Sequence, residues 1–400
     1  MDLRTSSPYW LLRHGIVNSY PSLQCNTRAD IAIIGAGISG ALVAASLLKT
    51  GRSIIVLDRR HAAMGSTAAS TALLQYEIDV PLIELCKRIG ERHACRSYQL
   101  CRQSIDELER ICRILKDPRL FSRKPSFQFA SVDGDVPLLR EEYLQRKRLG
   151  FPLKWFTAAG VGNRFGFLKP AGILSEDGAE ADAYLITHRL LEKCMRGGAK
   201  VFDNTEVTDI SHRRNGVTLT TADGYRVNAG KLVIACGYES QRYISKKVQY
   251  LHATYAIASE PFESGKFWHR NALIWETATP YLYMRTTADN RILVGGKDSP
   301  FSNPSRRDQM LTRKARELER SFVRLFPAIT FRTDFKWAGT FAASKDGLPY
   351  IGSIAERPHT YFALGFGGNG ITFSVIAANI IRDLLTGKKN PDAEIFSFNS

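Results

Sequence analysis

One stretch constrains this chain more than any other. Asp30-Ile31-Ala32-Ile33-Ile34 is a short apolar, β-branched run that opens directly onto Gly35-Ala36-Gly37-Ile38-Ser39-Gly40 and then onto an alanine-rich helical segment. Strand, turn and helix in that order are what a dinucleotide-binding βαβ unit requires. The first glycine permits the tight turn, the second lets the backbone approach a pyrophosphate, and the third lets helix and strand pack closely. The helix N-terminus then faces the phosphates. Gly51 closes the helix, and Ser53-Ile54-Ile55-Val56-Leu57 forms a second strand ending at Asp58, 18 residues after Gly40. That is close to the roughly 20 residues expected of the carboxylate that accepts hydrogen bonds from ribose hydroxyls and repels a 2′-phosphate. The uncharged run Ile31–Leu48 is long enough to be misread as a membrane span, but its glycines divide it into strand, turn and helix.

This fingerprint serves NAD and FAD alike, so the choice rests on distant segments. Lys231-Leu232-Val233-Ile234-Ala235-Cys236-Gly237-Tyr238 reads as a buried strand ending in glycine, after a hairpin-like region around Gly216 and Asp223-Gly224. Further on, Tyr361-Phe362-Ala363-Leu364 is a short strand, followed by Gly365-Phe366-Gly367-Gly368-Asn369-Gly370-Ile371 and a helix to about Leu385. A helix opened by a glycine turn offers free N–H groups and a positive dipole end, suited to the negative charge of a reduced isoalloxazine. Taken alone, the same turn is equally compatible with a tight connection that binds nothing.

With these residues in view the sequence resembles the D-amino-acid oxidase and glycine oxidase family of flavoproteins over most of residues 30–390. Six features match in order: the glycine motif with Asp58, Ala235-Cys236-Gly237, Tyr255-Ala256-Ile257-Ala258, Trp337-Ala338-Gly339, Asp346-Gly347-Leu348-Pro349-Tyr350-Ile351-Gly352, and the Gly367–Gly370 turn. The resemblance implies an α/β fold. Its FAD-binding domain is Rossmann-type, of the glutathione-reductase kind, and is assembled from residues 1–85, 155–247 and 336–400. An α+β substrate domain from 86–154 and 248–335 carries a large antiparallel sheet over the flavin, with strands near Ser126–Phe129, Leu251–Ser259 and Ala272–Gly296 and helices from 86–116 and 305–325. The cofactor residues implied are the glycine motif, Asp58 with Arg59, and Ser66, Thr67, Ala68, Ser70, Thr71 and Leu73 along the pyrophosphate and flavin. Val207 would lie at the adenine, with Cys236, Gly237, Gly367, Gly368, Asn369, Gly370 and Ile371 completing the set.

The chain departs from the family at three places. Some members attach FAD through a histidine where Ala69 stands, others through a cysteine where Gly339 stands, so non-covalent FAD is expected. Glycine-oxidase-like members carry an arginine just after W-A-G, suited to a bidentate grip on a substrate carboxylate, and Phe341 occupies that place. Candidate replacements lie on Tyr281-Leu282-Tyr283-Met284-Arg285, where alternation puts Tyr281, Tyr283 and Arg285 on one face. If that face looks at the flavin, Arg285 could bind an anionic small-molecule substrate; otherwise it pairs with an acidic neighbour and the tyrosines pack in the sheet. Gln75 and Tyr76 follow the flavin-contacting segment and are weaker candidates for the same cavity.

The reaction implied is oxidation of a carbon–nitrogen bond by hydride transfer to flavin N5, with oxygen or another acceptor taking the electrons. Because the cofactor carries the hard chemistry, no catalytic acid or base is assigned. Two other readings stay open: a flavoprotein acting on modified tRNA, prompted by a net charge of +16, and a flavin dehydrogenase of non-amine donors. Basic residues in Lys87–Lys124 alternate with acidic ones, as on a solvated helix face. DNA is not expected as a partner. With 400 residues, 44% of them apolar, two domains are expected. The seven cysteines lack any C-x-x-C pair, so neither disulfides nor a metal site is expected. The residues before Asp30 show no secretory signal, and a cytoplasmic location is expected.

Overall fold

The computed structural model describes residues 2–5 and 7–398, which build two sheets. The first has eight strands. Its path runs Tyr350–Ser353, Thr360–Leu364, Arg226–Ile234, Thr27–Ile34, Ile54–Leu57, Lys200–Phe202, with the hairpin Val207–Arg213/Gly216–Thr221 added at Arg226–Ile234. The pairs at its centre are parallel, with Ile31 opposite Ile54 on one side and Lys231 on the other. Parallel strands covered on both faces read as unbroken apolar runs, and Ile31–Ile34 and Ile54–Leu57 are buried throughout. Helices Ile38–Leu47, Gly370–Leu385, Ala183–Arg196 and Glu91–Leu115 cover one face and share its core. A second apolar cluster around Leu219, Leu232 and Phe362 fills the other.

The second sheet has nine strands, ordered Thr333–Ala343, Tyr250–Ser259, Ile292–Pro300, Leu282–Thr286, Leu273–Glu276, Phe121–Phe129, Ala171–Ala181, Leu73–Leu74, with Leu153–Thr157 also on Ala171–Ala181. Its pairings are antiparallel apart from Leu273–Glu276 with Phe121–Phe129. Helix Pro304–Leu325 packs Ala315, Leu318 and Phe322 against its outer face in a core of its own. The helical region expected at 86–116 is two helices, Leu82–Ile89 and Glu91–Leu115, broken at Gly90, whose φ of +83° ends the first.

The sheets cut across the expected division of the chain. Residues 155–181 were expected with the nucleotide-binding unit, yet Leu153–Thr157 and Ala171–Ala181 are strands of the second sheet, as is Thr333–Ala343 within 336–400. The physical reason lies in partners far along the chain. Gly172 leaves room for the Phe127 ring, which an added Cβ would meet at 2.3 Å, so the strand seats against Phe121–Phe129. Among the described residues no helix is long and apolar enough to cross a membrane.

Candidate active site

The cleft between the two sheets begins at the glycine turn. Gly35 has φ +110°, and a Cβ there would meet the carbonyl oxygen of Ala235 at 2.5 Å. At Gly40 it would lie 1.8 Å from the Gly35 oxygen. Both neighbours are backbone, so no side-chain adjustment could make room. Helix Ile38–Leu47 starts at Gly37 without a side-chain cap, its N-terminus at the cleft. Asp58 ends the next strand; its Oδ2 accepts from the Ala36 N–H at 2.7 Å and its Oδ1 from the Arg60 N–H at 2.9 Å. Burial raises its carboxyl to about 6, opposed by those two N–H groups. Arg59 and Arg60 both bind Glu239, and Arg59 and Arg242 each lie 3.6 Å from Glu206.

The floor of the cleft is the short turn Ser66–Ala69 and the residues after it. Thr67 Oγ1 accepts from the Ile38 N–H at 3.1 Å, while the buried Ser66 Oγ has no partner among the described residues. Two indoles hold this segment: Trp337 donates to the Ala69 carbonyl at 2.9 Å and Trp10 to that of Ser70 at 2.7 Å. At the far end the Gly367–Asn369 turn opens helix Gly370–Leu385, again without a side-chain cap. Asn369 donates to the carbonyls of Gln75, 3.1 Å, and Glu77, 2.8 Å, fixing the strand-like segment that passes there. Over this end stand Thr254, Tyr281, Tyr283 and Asp298 of the second sheet, with Gly339–Phe341 beside them.

A family model described as FAD-dependent oxidoreductase matches residues 30–384. The chain belongs to that family. Glycine oxidase from Geobacillus kaustophilus is 24% identical over 90% of this chain and 94% of its own length, and its crystal structure superposes with a TM-score of 0.78 at 20% identity over 92% of this chain and 98% of that one. A probable oxidoreductase, OrdL, from Haemophilus influenzae is 21% identical over 92% of this chain and 85% of its own. Gamma-glutamylputrescine oxidoreductase from Escherichia coli is 23% identical over 98% of this chain and 90% of its own.

The cleft of this FAD-dependent oxidoreductase fits the cofactor on its own residues. Two uncapped helix N-termini, a glycine turn that excludes any Cβ, and an unpartnered buried hydroxyl at Ser66 are what a pyrophosphate-bearing ligand needs. Asp58 would hold the ribose, and the N–H groups of the Gly367–Gly370 turn would face the ring system. The Gly368 N–H is already taken, donating to Asp79 at 2.7 Å. Ala69 and Gly339 approach within 3.4 Å, measured from a Cβ built on the glycine. Neither carries a nucleophile, in keeping with FAD held without a covalent bond.

Of the residues expected around the cofactor, Gly35, Gly37, Ile38, Ser39, Asp58, Arg59, Ser66, Thr67, Ser70, Thr71 and Leu73 line the cleft, as do Val207, Cys236, Gly237 and Gly367–Ile371. Ala36, Gly40 and Ala68 do not; all three are buried behind the wall, where their smallness shapes it. Gln75, Tyr281, Tyr283 and Phe341 line the far end, with the two tyrosine rings 5.7 Å apart and Phe341 packed on His252. Two of the candidates lie away from the cleft. Tyr76 is wholly buried, stacked on Phe151 at 4.4 Å, because the strand alternation that exposes Gln75 turns its neighbour into the core. Arg285 is 2% exposed and lies outside the cleft. It donates to the Ala72 and Ala181 carbonyls, sits 3.9 Å from Glu180 and lies over Trp10, so the strand's face is covered by the time it reaches this residue. The sequence reading missed Asp79, Tyr238, Thr254 and Asp298, which no motif or periodicity marks.

Proposed function

We propose that this enzyme oxidises a carbon–nitrogen bond of a small amine or amino-acid-like molecule. The observation that carries the reading is the cleft's far end, where the Gly367–Gly370 helix mouth and the aromatic side chains Tyr281, Tyr283 and Phe341 line one cavity. The relatives named glycine oxidase and gamma-glutamylputrescine oxidoreductase, each covering at least nine-tenths of the chain, support it. When bound, FAD supplies a two-electron acceptor for the hydride leaving the substrate carbon, and the oxidised nitrogen compound departs as an imine for water to hydrolyse. The chain's own residues orient and desolvate. The aromatic wall excludes water and fixes the substrate's face, which keeps the reacting nitrogen neutral without a dedicated base. The uncapped helix at Gly370 stabilises negative charge at its mouth. A cytoplasmic location fits seven free cysteines.

The test is the visible absorption of the purified protein, followed without oxygen while amines, N-methylated amino acids and D-amino acids are added in turn. Bleaching of the flavin bands by one of these classes is expected, and peroxide release on readmitting air separates oxygen from another acceptor. Bands that no nitrogen donor bleaches, while another donor does, would remove the assignment.

A further inference from the structure

The far end of the cleft carries an unusual balance of charge. The basic side chains lining the cleft are Arg59, Arg60 and Arg242, all at the Asp58 end and all held by Glu206 or Glu239. At the other end the charged groups are two carboxylates. Asp298 lines the wall, and its buried Oδ1 has no hydrogen-bond partner among the described residues. Asp79 stands at the rim, its Oδ2 accepting from the Gly368 N–H and its Oδ1 lying 3.4 Å from the Tyr281 hydroxyl. Neither forms an ion pair among the described residues; Lys314, whose field reaches Asp298, lies 3.5 Å from Glu317 instead.

Aromatic rings line the wall beside Asp298, while Asp79 is exposed at the rim. Tyr238, Tyr281 and Tyr283 all line the same end. Two glycines make the arrangement possible: a Cβ at Gly295 would lie 2.4 Å from the Tyr283 hydroxyl, and one at Gly368 would lie 2.6 Å from Asp79 and 3.1 Å from the Tyr281 hydroxyl. Burial holds Asp298 up at about 6, with Asp79 adding to the shift. A carboxylate left in that position is one that a positive ligand stabilises and a negative ligand destabilises. A cation between tyrosine faces gains from their quadrupoles as well.

We propose that the substrate is an organic cation, a diamine or similar amine whose second, non-reacting positive nitrogen rests against Asp298 and Asp79 among the tyrosines while the reacting nitrogen stays neutral, and that a substrate carboxylate has no seat here. This deepens, and rests on, the carbon–nitrogen reading above. It also explains why Phe341 can stand where a carboxylate-gripping arginine would be expected.

The test is binding to the flavin-loaded enzyme of two ions that cannot be turned over to an imine, benzyltrimethylammonium and phenylacetate, read from the perturbation of the flavin absorption bands. The cation should bind at least tenfold more tightly than the anion. Asp298→Asn should weaken the cation at least tenfold while leaving phenylacetate unchanged or tighter; Asp79→Asn serves in its place if Asp298→Asn does not keep its flavin. Equal affinity for the two ions, or tighter binding of phenylacetate, overturns the proposal even without a variant. Bleaching by an α-amino acid in an enzyme that ignores the cation would sink the cation site and spare the carbon–nitrogen reading. Tight cation binding with no bleaching by any amine would do the reverse.

Discussion

His188 sits between Tyr184 and Tyr20, with ring centroids 4.7 and 6.4 Å away, and is 1% exposed. Neither ring nitrogen has a partner among the described residues, and burial pulls the imidazole down from 6.5 to about 4. Between those values the unfolded chain binds the proton that the folded chain refuses, so stability rises with pH across that window and is lost as pH falls from 6.5 toward 4. His188→Phe should remove that component, on the order of 3 kcal/mol at most. Urea midpoints at pH 7 and pH 4.5 should therefore fall less for the variant than for the parent, and an equal fall would show that His188 is protonated in place. At this scale the sequence was readable where a residue type is forced by the backbone. Gly35 and Gly40 announce themselves because nothing larger fits. Asp79 and Asp298 do not, since a lone aspartate in a strand end or loop carries no period. Arg285 and Tyr76 misled because alternation tells which face a side chain takes and not what covers that face.

Among the elements, helix Val136–Arg148 does the most to place the cleft's rim. Its Arg146 lies 3.2 Å from Glu142, 3.4 Å from Glu77 and 2.9 Å from Gln128, with both acid side chains at most 5% exposed. Glu142 in turn accepts from the N–H groups of Leu82, 3.0 Å, and Ile83, 3.1 Å, capping helix Leu82–Ile89. The segment carrying Gln75 and Asp79 is thereby tied down at both ends. Burial raises Glu77 to about 7 against the pull of Arg146. Arg146→Met leaves two buried carboxylates without their cation and should cost about 3–5 kcal/mol in urea unfolding. Adding Glu77→Gln should recover part of the loss, since the two changes act on one network; strict additivity would argue that the pair is not coupled. The central strands of the first sheet were legible because Ile31–Ile34 and Ile54–Leu57 are unbroken apolar runs. Ala171–Ala181 was not, because its two glycines and three acidic residues look like a loop until Phe121–Phe129 pairs with it.

For the molecule as a whole, the excess of basic charge is largely engaged where the sequence made it most conspicuous. In the Lys87–Lys124 stretch Arg102 meets Asp177 at 2.9 Å, Arg113 meets Glu109 at 2.6 Å, and Arg123 meets both Asp106 and Glu109. This is a laced surface rather than a stripe aimed at a polyanion. The two sheets, by contrast, cannot be taken apart along the chain. The first draws its strands from residues 27–57, 200–234 and 350–364, with the second threaded through the gaps. A chain stopped after Lys345 loses the strand that pairs Thr360 with Leu232, together with helix Gly370–Leu385, and so leaves the apolar Leu232–Ile234 end of its neighbour as a bare edge. It should aggregate on size exclusion and purify colourless, and a monomeric yellow product would show that the rest of the sheet closes without it.

The position of Thr360–Leu364 in the first sheet also bears on how the enzyme is made. A ribosome that has delivered the glycine turn, Asp58 and the whole second sheet has still not delivered the Gly367–Gly370 mouth. The segment that completes the flavin's seat is therefore synthesised after the rest of the cleft's lining, and the Asp58 end is built long before the mouth that faces it.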